Sequence, residues 1–144
     1  MNLRIELVPR SSWGNNVRSM ITAMEWDIIR HECYRRSNYT CEICGSAIGK
    51  LHCHEVFSYD PPDQQVLIGL RTLCEQCHEV KHFGRASVMK REEAAKKWLG
   101  YVNNWNELEV IDHISEAFLE WHHRNKIQWK LDISYLHRFM KGIP

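Results

Sequence analysis

Two cysteine pairs constrain this sequence more than any other feature. CEIC occupies residues 41–44 and CEQC occupies residues 74–77. Two residues between cysteines allow both thiolates to face one ion from a tight turn, and four thiolates form a closed, tetrahedral, structural zinc site. Gly45, directly after the first pair, relieves crowding where the backbone turns. We therefore expect a structural zinc ion bound by the four cysteines of these pairs, Cys41, Cys44, Cys74 and Cys77.

The composition fits zinc better than disulfides. The chain has 144 residues, of which 44% are hydrophobic and 26% are charged, as in an ordinary single globular domain. Its apolar runs are too short to cross a membrane, and the first residues, MNLRIELVPR, lack the apolar stretch of a secretory signal. We therefore expect a cytoplasmic protein without a membrane partner. In that compartment, paired cysteines favour zinc over disulfides, over a redox pair and over four unrelated buried thiols.

A second group of metal-binding residues lies beside the cysteine pairs. LHCHEVF, residues 51–57, alternates as a strand does, which places His52 and His54 on one face and Cys53 on the other. HEVKH, residues 78–82, predicts a helix on which His78 and His82 are one turn apart and face the same way. The shared zinc would draw this strand beside this helix. Imidazoles suit a metal ion that keeps open positions for water and phosphate.

The flanking segments predict helices and short strands around this central unit. In residues 1–37, alternation predicts a strand at 3–8, and Thr22 with Glu25 predicts a capping box that starts a helix ending near residues 36–38. In residues 85–144, we expect a helix at 87–99 stopped by Gly100, and a second helix started by Asn106 and Glu109. Residues 127–133 alternate again and predict a C-terminal strand, paired with the N-terminal one. We expect core packing for the helix-face cysteine and for four tryptophans, Cys33, Trp98, Trp105, Trp121 and Trp129.

The charge is nearly balanced overall but not locally. The net charge is +1, yet six basic residues stand against two acids between Lys81 and Lys97, a local excess of +4. Such a segment can contact a phosphate backbone, or it can be a solvated helix face with glutamate–lysine pairs. The expected DNA contacts are four basic residues of this segment, Lys81, Arg85, Lys90 and Arg91.

Three segments together resemble the HNH endonucleases, the zinc-stapled ββα-metal nucleases with a treble-clef-like core, in their small bacterial or phage form. These are NYTCEIC, LHCHEVFSYD and LIGLRTLCEQCHEVKHFG, within residues 38–84. The resemblance implies an α+β fold and hydrolysis of DNA phosphodiester bonds. His54 would be the general base, and His78 and His82 would bind a catalytic divalent metal ion (Mg²⁺, Mn²⁺, Ni²⁺ or Zn²⁺). One centre per chain implies nicking, and a homodimer would be needed to cut both strands.

The sequence departs from the family pattern at two positions. Cys53 stands where the family has an Asp or His metal ligand, with His52 as the candidate substitute, and Gly69 stands where the family has an Asn that orients the base. These departures favour the alternative of a weak or inactive zinc module that binds nucleic acid or protein. A zinc deaminase fits poorly, since Glu55 follows its histidine without the required spacing residue and Leu73 replaces the required proline.

Overall fold

A computed structural model describes residues 2–144, which form six α-helices and one three-stranded sheet. This confirms an α+β fold with a small sheet. The strands are β1 (Leu51–Ser58), β2 (Gln64–Cys74) and β3 (Lys130–Asp132). The helices are α1 (Val17–Met20), α2 (Ala23–Arg36), α3 (Glu75–Lys81), α4 (Phe83–Val88), α5 (Glu92–Asn103) and α6 (Glu107–Arg124). Short 3-10 turns occupy Arg10–Ser12 and Ser134–Arg138.

A hairpin and the helix that follows it form the centre of the molecule. β1 and β2 are antiparallel, with His54 opposite Arg71 and an irregularity in register between Val56 and Phe57. β2 then runs directly into α3, because its last residue, Cys74, is the N-cap of that helix. The predicted metal-binding residues therefore lie on these three consecutive elements, at the end of α3, and in the loop that precedes β1. This sequence-adjacent arrangement keeps the cysteine pairs and the histidines within one compact unit.

The two predicted capping boxes are confirmed. The Thr22 side chain accepts a hydrogen bond from the Glu25 amide, and the Glu25 carboxylate accepts one from the Thr22 amide, so α2 begins at Ala23. Asn106 and Glu109 do the same at the start of α6. These reciprocal bonds satisfy amide groups that have no partner within a helix, which is why the pattern is readable in sequence.

The single helix predicted at 87–99, with a stop at Gly100, is wrong. The segment forms two helices, α4 and α5, separated at Met89–Arg91, where Lys90 adopts a left-handed φ of 59°. Gly100 lies inside α5. A Cβ atom there would lie 3.2 Å from the carbonyl oxygen of Trp105 and 3.3 Å from Val110 Cγ2. The glycine therefore permits close contact between α5 and α6 and does not end the helix.

The N-terminal strand predicted at 3–8 does not form. The segment forms no regular secondary structure, and its backbone groups bond to groups outside the sheet: the Ile5 amide donates to His113 Nε2 at 3.0 Å, and the Glu6 amide donates to the Lys81 carbonyl oxygen at 3.1 Å. The predicted apolar face is nevertheless present. Leu3 and Ile5 are buried in a core beneath α3, α5 and α6. Alternation correctly indicated burial but not strand pairing.

The C-terminal strand is confirmed in part. It covers only Lys130–Asp132 and pairs in parallel with β2, not with the N-terminal segment. Buried side chains flank it, since Trp129 and Ile133 are both buried. The strand ends at Asp132, and a 3-10 turn begins at Ser134. The alternation in residues 127–133 therefore reflects side-chain burial over a longer stretch than the hydrogen-bonded ladder.

Two hydrophobic clusters lie beneath these elements. One joins the N-terminal segment to α3–α6, and the other joins α2 to the sheet and the C-terminal turn. Cys33 and Cys53 are both in the second cluster, as their predicted faces require. The tryptophans expected to pack in the core are buried or half-buried, as predicted, namely Trp98, Trp105, Trp121 and Trp129. Within residues 2–144, no helix is both long enough and apolar enough to span a bilayer.

Candidate active site and metal centre

The four paired cysteines form a cluster that can hold a metal ion. Their sulfur atoms all lie within 4.8 Å of one another, and the sulfur atoms of Cys44 and Cys74 are 3.7 Å apart. A tetrahedral zinc ion with bonds of about 2.3 Å separates its sulfur ligands by about 3.8 Å. The donor set, four thiols with no fifth polar partner in the group, also suits zinc. The cluster therefore fits a structural metal ion such as zinc, in agreement with the sequence.

Local backbone geometry forms both halves of this cluster. After the first pair, Gly45 has a φ of +78°, and its amide donates to the Cys41 carbonyl oxygen at 2.9 Å, which closes the turn. In the second pair, the Cys77 amide donates to the Cys74 sulfur at 3.4 Å. This sulfur thereby caps the N-terminus of α3, where the helix dipole favours a negative charge. Thiolate ligands are stabilised by the same backbone that positions them.

The thiols of this cluster influence one another's protonation. A hydrogen bond with Cys77 lowers the pKa of Cys41 to about 4, and the same bond raises the pKa of Cys77. Burial raises the pKa of Cys44 to about 11. Without a metal ion, one thiolate is thus stabilised by protonated neighbours. A divalent cation would allow all four to ionise, and the indole N–H of Trp98, 3.3 Å from Cys77 Sγ, would remain bonded to a ligand sulfur.

Three histidines form a second, separate group with metal-binding geometry. His54 on β1 lies with its ring centroid 5.5 Å from that of His78 and 5.3 Å from that of His82. The Nε2 atoms of His78 and His82 are 3.1 Å apart, and one ring nitrogen from each of the three residues lies within 4.8 Å of the others. The predicted strand and helix do bring these side chains together.

The helical pair in this group is kept neutral by its surroundings. Burial, reinforced by the neighbouring imidazoles, lowers the pKa of His78 to about 2. Burial and the adjacent His54 lower the pKa of His82 to about 4. Both rings therefore present unprotonated nitrogens at neutral pH, as a metal ligand must.

His52 was a candidate ligand, and the structure does not bring it into this group. Its ring stacks on that of His78, with centroids 4.6 Å apart and an interplanar angle of 21°. Nitrogen lone pairs lie in the plane of the ring, so two nearly parallel stacked rings cannot both direct them at one ion. Cys53 does not fill the ligand position either, because it is buried in the second hydrophobic cluster.

The sequence did not reveal a fourth member of the site, Glu6. Its Oε2 lies 2.7 Å from Nε2 of His54, and its Oε1 accepts a hydrogen bond from Lys81 Nζ at 2.7 Å. Burial acts to raise the pKa of Glu6, but the hydrogen bond with His54 and the charge of Lys81 outweigh it and lower the pKa to about 2. A carboxylate from the N-terminal segment thus contacts the histidine group directly.

Lys81 is not available as a DNA contact. Its side chain is only 8% exposed and forms the ion pair with Glu6. Arg91 pairs with Glu79 at 2.7 Å, whereas Arg85 and Lys90 are exposed. Part of the predicted basic segment therefore forms ion pairs with glutamates of the same chain. This agrees in part with the alternative interpretation, a solvated surface with paired charges.

The histidines open into a cleft of about 680 Å³. Its walls carry four glutamates and also four arginines, Arg4, Arg18, Arg85 and Arg124. Arg124 is paired with Glu120 at 2.7 Å. Arg18 and Arg85 lie close enough to the histidines to act on them, since their charges contribute to the lowered pKa of His78 and His82 respectively. Trp13, which is 63% exposed, lines the same cleft.

No protein-family model matches this chain, and no curated protein or solved structure matches it significantly.

Proposed function

We propose that this protein is a metal-dependent endonuclease of the HNH type that hydrolyses DNA phosphodiester bonds. The observation that carries the proposal is the group formed by His54, His78 and His82, on a hairpin and the helix after it, facing a cleft. A separate tetrathiol cluster joins the loop before β1 to the junction of β2 and α3. This division, with a closed thiol site beside an open imidazole site, supports a ββα-metal arrangement with one structural and one catalytic ion.

Each histidine has a defined part in the proposed reaction. His78 and His82 would hold a divalent cation, which when bound supplies positive charge to the scissile phosphate and its leaving oxygen. His54 would take a proton from the attacking water as general base. Because burial keeps the helical pair neutral, these residues are ready to bind the ion near neutral pH. The ion could be Mg²⁺, Mn²⁺, Ni²⁺ or Zn²⁺.

DNA is the proposed partner, and cationic residues near the histidines support it. Arg18 and Arg85 line the cleft, and Lys90 is exposed beyond it. Side chains of this kind bind phosphates without reading sequence. One centre per chain would nick one strand, so that two copies are needed to cut both. Free thiols and zinc-bound thiolates both persist in a reducing compartment, and we therefore propose the cytoplasm.

A second candidate function is a zinc module that binds nucleic acid or protein without cutting it. The observation that favours it is the missing ligand before His54, since Cys53 is buried in the core and His52 stacks on His78. Gly69, opposite Val56 in the hairpin, also supplies no side chain to orient the base.

A plasmid-nicking assay with Mg²⁺, Mn²⁺ and Ni²⁺ tests the proposal. Wild type should nick, and His54→Ala should be slower by about 10²–10⁴-fold, the usual contribution of a general base. His31→Ala, which removes an exposed histidine on α2, is the matched control and should cut at the wild-type rate. Equal inactivity of wild type and His54→Ala with all three ions, together with DNA binding and one zinc per chain, would establish the second candidate instead.

A further inference from the structure

Glu6 has contacts that a simple counterion would not need. Its two oxygens take different partners: Oε1 accepts from the Lys81 ammonium, and Oε2 lies 2.7 Å from His54 Nε2. Lys81 is almost fully buried, and the carboxylate that neutralises it contacts it through one oxygen only. The other oxygen is free to act on His54. An ionised carboxylate only accepts hydrogen bonds, so the short contact requires a proton on His54 Nε2.

The consequence concerns the other nitrogen of the same ring. A neutral imidazole carries one proton, and when Nε2 holds it, Nδ1 has the lone pair. Carboxylates that accept from the far nitrogen of a histidine set its tautomer and ring orientation and raise its basicity.

Glu6 reaches this position because both ends of its segment are fastened to α5 and α6. We call residues 3–8 the N-terminal strap. Asn103 on α5 bonds to both the amide and the carbonyl oxygen of Leu3, each at 2.7 Å. On α6, His113 accepts from the Ile5 amide, and the Trp121 indole donates to the Val8 carbonyl oxygen at 3.0 Å. The two long C-terminal helices thus hold a carboxylate against the histidine group.

We propose that Glu6 is a positioning residue that holds the ring proton of His54 on Nε2 and leaves Nδ1 as its basic nitrogen. This inference rests on the proposed function for its purpose, namely to prepare His54 as the base. It also gives α5 and α6 a role in the site, since they keep the strap, and therefore Glu6, in place. The family resemblance does not supply this residue, which lies 48 positions before His54.

The Glu6→Gln variant makes a sharp prediction about the tautomer. A glutamine has one acceptor oxygen and one donor amide. The Lys81 ammonium only donates, so it will take the oxygen and leave the amide N–H groups facing His54. His54 Nε2 must then accept, and the ring proton moves to Nδ1. In Glu6→Gln with Lys81→Met, the oxygen is released, the amide can turn over, and the proton can return to Nε2.

The experiment is long-range ¹H–¹⁵N NMR on protein labelled with ¹⁵N in the histidine rings, zinc-loaded and without a second metal, at neutral pH. Comparison with His54→Ala assigns the His54 signals. Wild type should show the Nε2–H form, Glu6→Gln the Nδ1–H form, and the double variant should recover at least part of the Nε2–H form. Glu32→Gln, which breaks an exposed pair with Arg35, is the control and should resemble wild type.

The inference is overturned if wild-type His54 carries its proton on Nδ1, or if Glu6→Gln leaves it on Nε2. The wild-type spectrum tests it even when a variant fails to fold. These spectra do not depend on cleavage, so absence of nuclease activity would refute the proposed function and leave the tautomer result intact. In the nicking assay, Glu6→Gln should lose about 10–100-fold in rate, the usual effect of removing such a partner.

Discussion

The thiol group and the imidazole group share a helix yet differ in almost every physical property. Cys77 and His78 are adjacent on α3, but one belongs to the closed tetrathiol cluster and the other faces the cleft. Successive helical residues point about 100° apart, so neighbours can serve different sites. The thiols have ligand geometry with no open position, whereas three imidazoles leave room for other ligands. One short backbone unit can thus present two groups of metal-binding side chains with different chemistry.

The largest expected effect is on the thiol group. Cys77→Ala removes a fully buried ligand, and three thiols cannot complete a tetrahedral site. We expect loss of zinc and of the cooperative folding transition, because the free energy of metal binding is part of the free energy of folding in such sites. Zinc analysis and thermal unfolding followed by circular dichroism measure both.

Cys33→Ala is the control for this prediction, because Cys33 is a buried thiol outside the cluster. It should retain one zinc per chain and lose only about 1 kcal/mol of stability, the scale of a small buried truncation. Comparable losses in the two variants would show that burial, and not metal binding, makes these cysteines important.

The second largest effect separates the two groups. His78→Ala should keep the zinc and the fold, because this ring contributes nothing to the tetrathiol cluster. It should lose Mn²⁺ binding, and its nicking rate should fall by more than about 100-fold. This exceeds the effect of removing a residue that only hydrogen-bonds to a metal ligand. Electron paramagnetic resonance of added Mn²⁺ measures the binding. Retention of the Mn²⁺ signal in His78→Ala would contradict the assignment of this residue as a ligand.

The sequence predicted the two groups well because their spacing is local. Three patterns follow from backbone geometry within a few residues. They are the Cys-x-x-Cys turns, the alternation of β1 and the i,i+4 spacing of His78 and His82. The capping boxes at Thr22 and Asn106 were readable for the same reason. That the hairpin lies beside the helix does not follow from local spacing. It requires the assumption that the two cysteine pairs share one zinc ion.

Contacts between distant segments were not predictable in this way. Glu6 lies on the polar side of an alternating segment, and nothing in the sequence connects it with His54. The strand prediction for the same segment is wrong because alternation reports burial of side chains and not the partners of backbone amides. The prediction of a helix stop at Gly100 is wrong because the role of this residue, close contact with Trp105 and Val110, depends on how α5 and α6 pack.

A smaller effect tests whether the cleft of the imidazole group binds phosphates. Arg18→Gln and Arg85→Gln should each weaken DNA binding, and the slope of the logarithm of affinity against the logarithm of salt concentration should fall by about 1. Fluorescence anisotropy with labelled DNA across a salt series measures this. Lys141→Gln, which alters an exposed residue near the C-terminus, is the control. An unchanged salt slope in both arginine variants would exclude the cleft as the DNA site.

The smallest effect is the pH dependence of stability. In the unfolded chain both histidines have the ordinary pKa of 6.5, whereas in the folded chain the pKa is near 4 at His82 and near 2 at His78. At a pH between the folded and the unfolded pKa, the unfolded chain binds more protons than the folded chain. The free energy of unfolding therefore falls as pH drops below about 6.5. We expect a loss on the order of 2 kcal/mol by about pH 6, measured by urea unfolding of zinc-loaded protein. His82→Gln should show a smaller loss, and an identical pH profile would contradict the assigned shifts.

The most direct test of two distinct metal sites is a crystal of zinc-loaded protein soaked in Mn²⁺, with anomalous scattering recorded near the absorption edge of each element. Our account predicts zinc among Cys41, Cys44, Cys74 and Cys77, and manganese bound by His78 and His82 beside His54. Zinc at the cysteines with no manganese at the histidines would contradict the account and leave a protein with a structural metal alone.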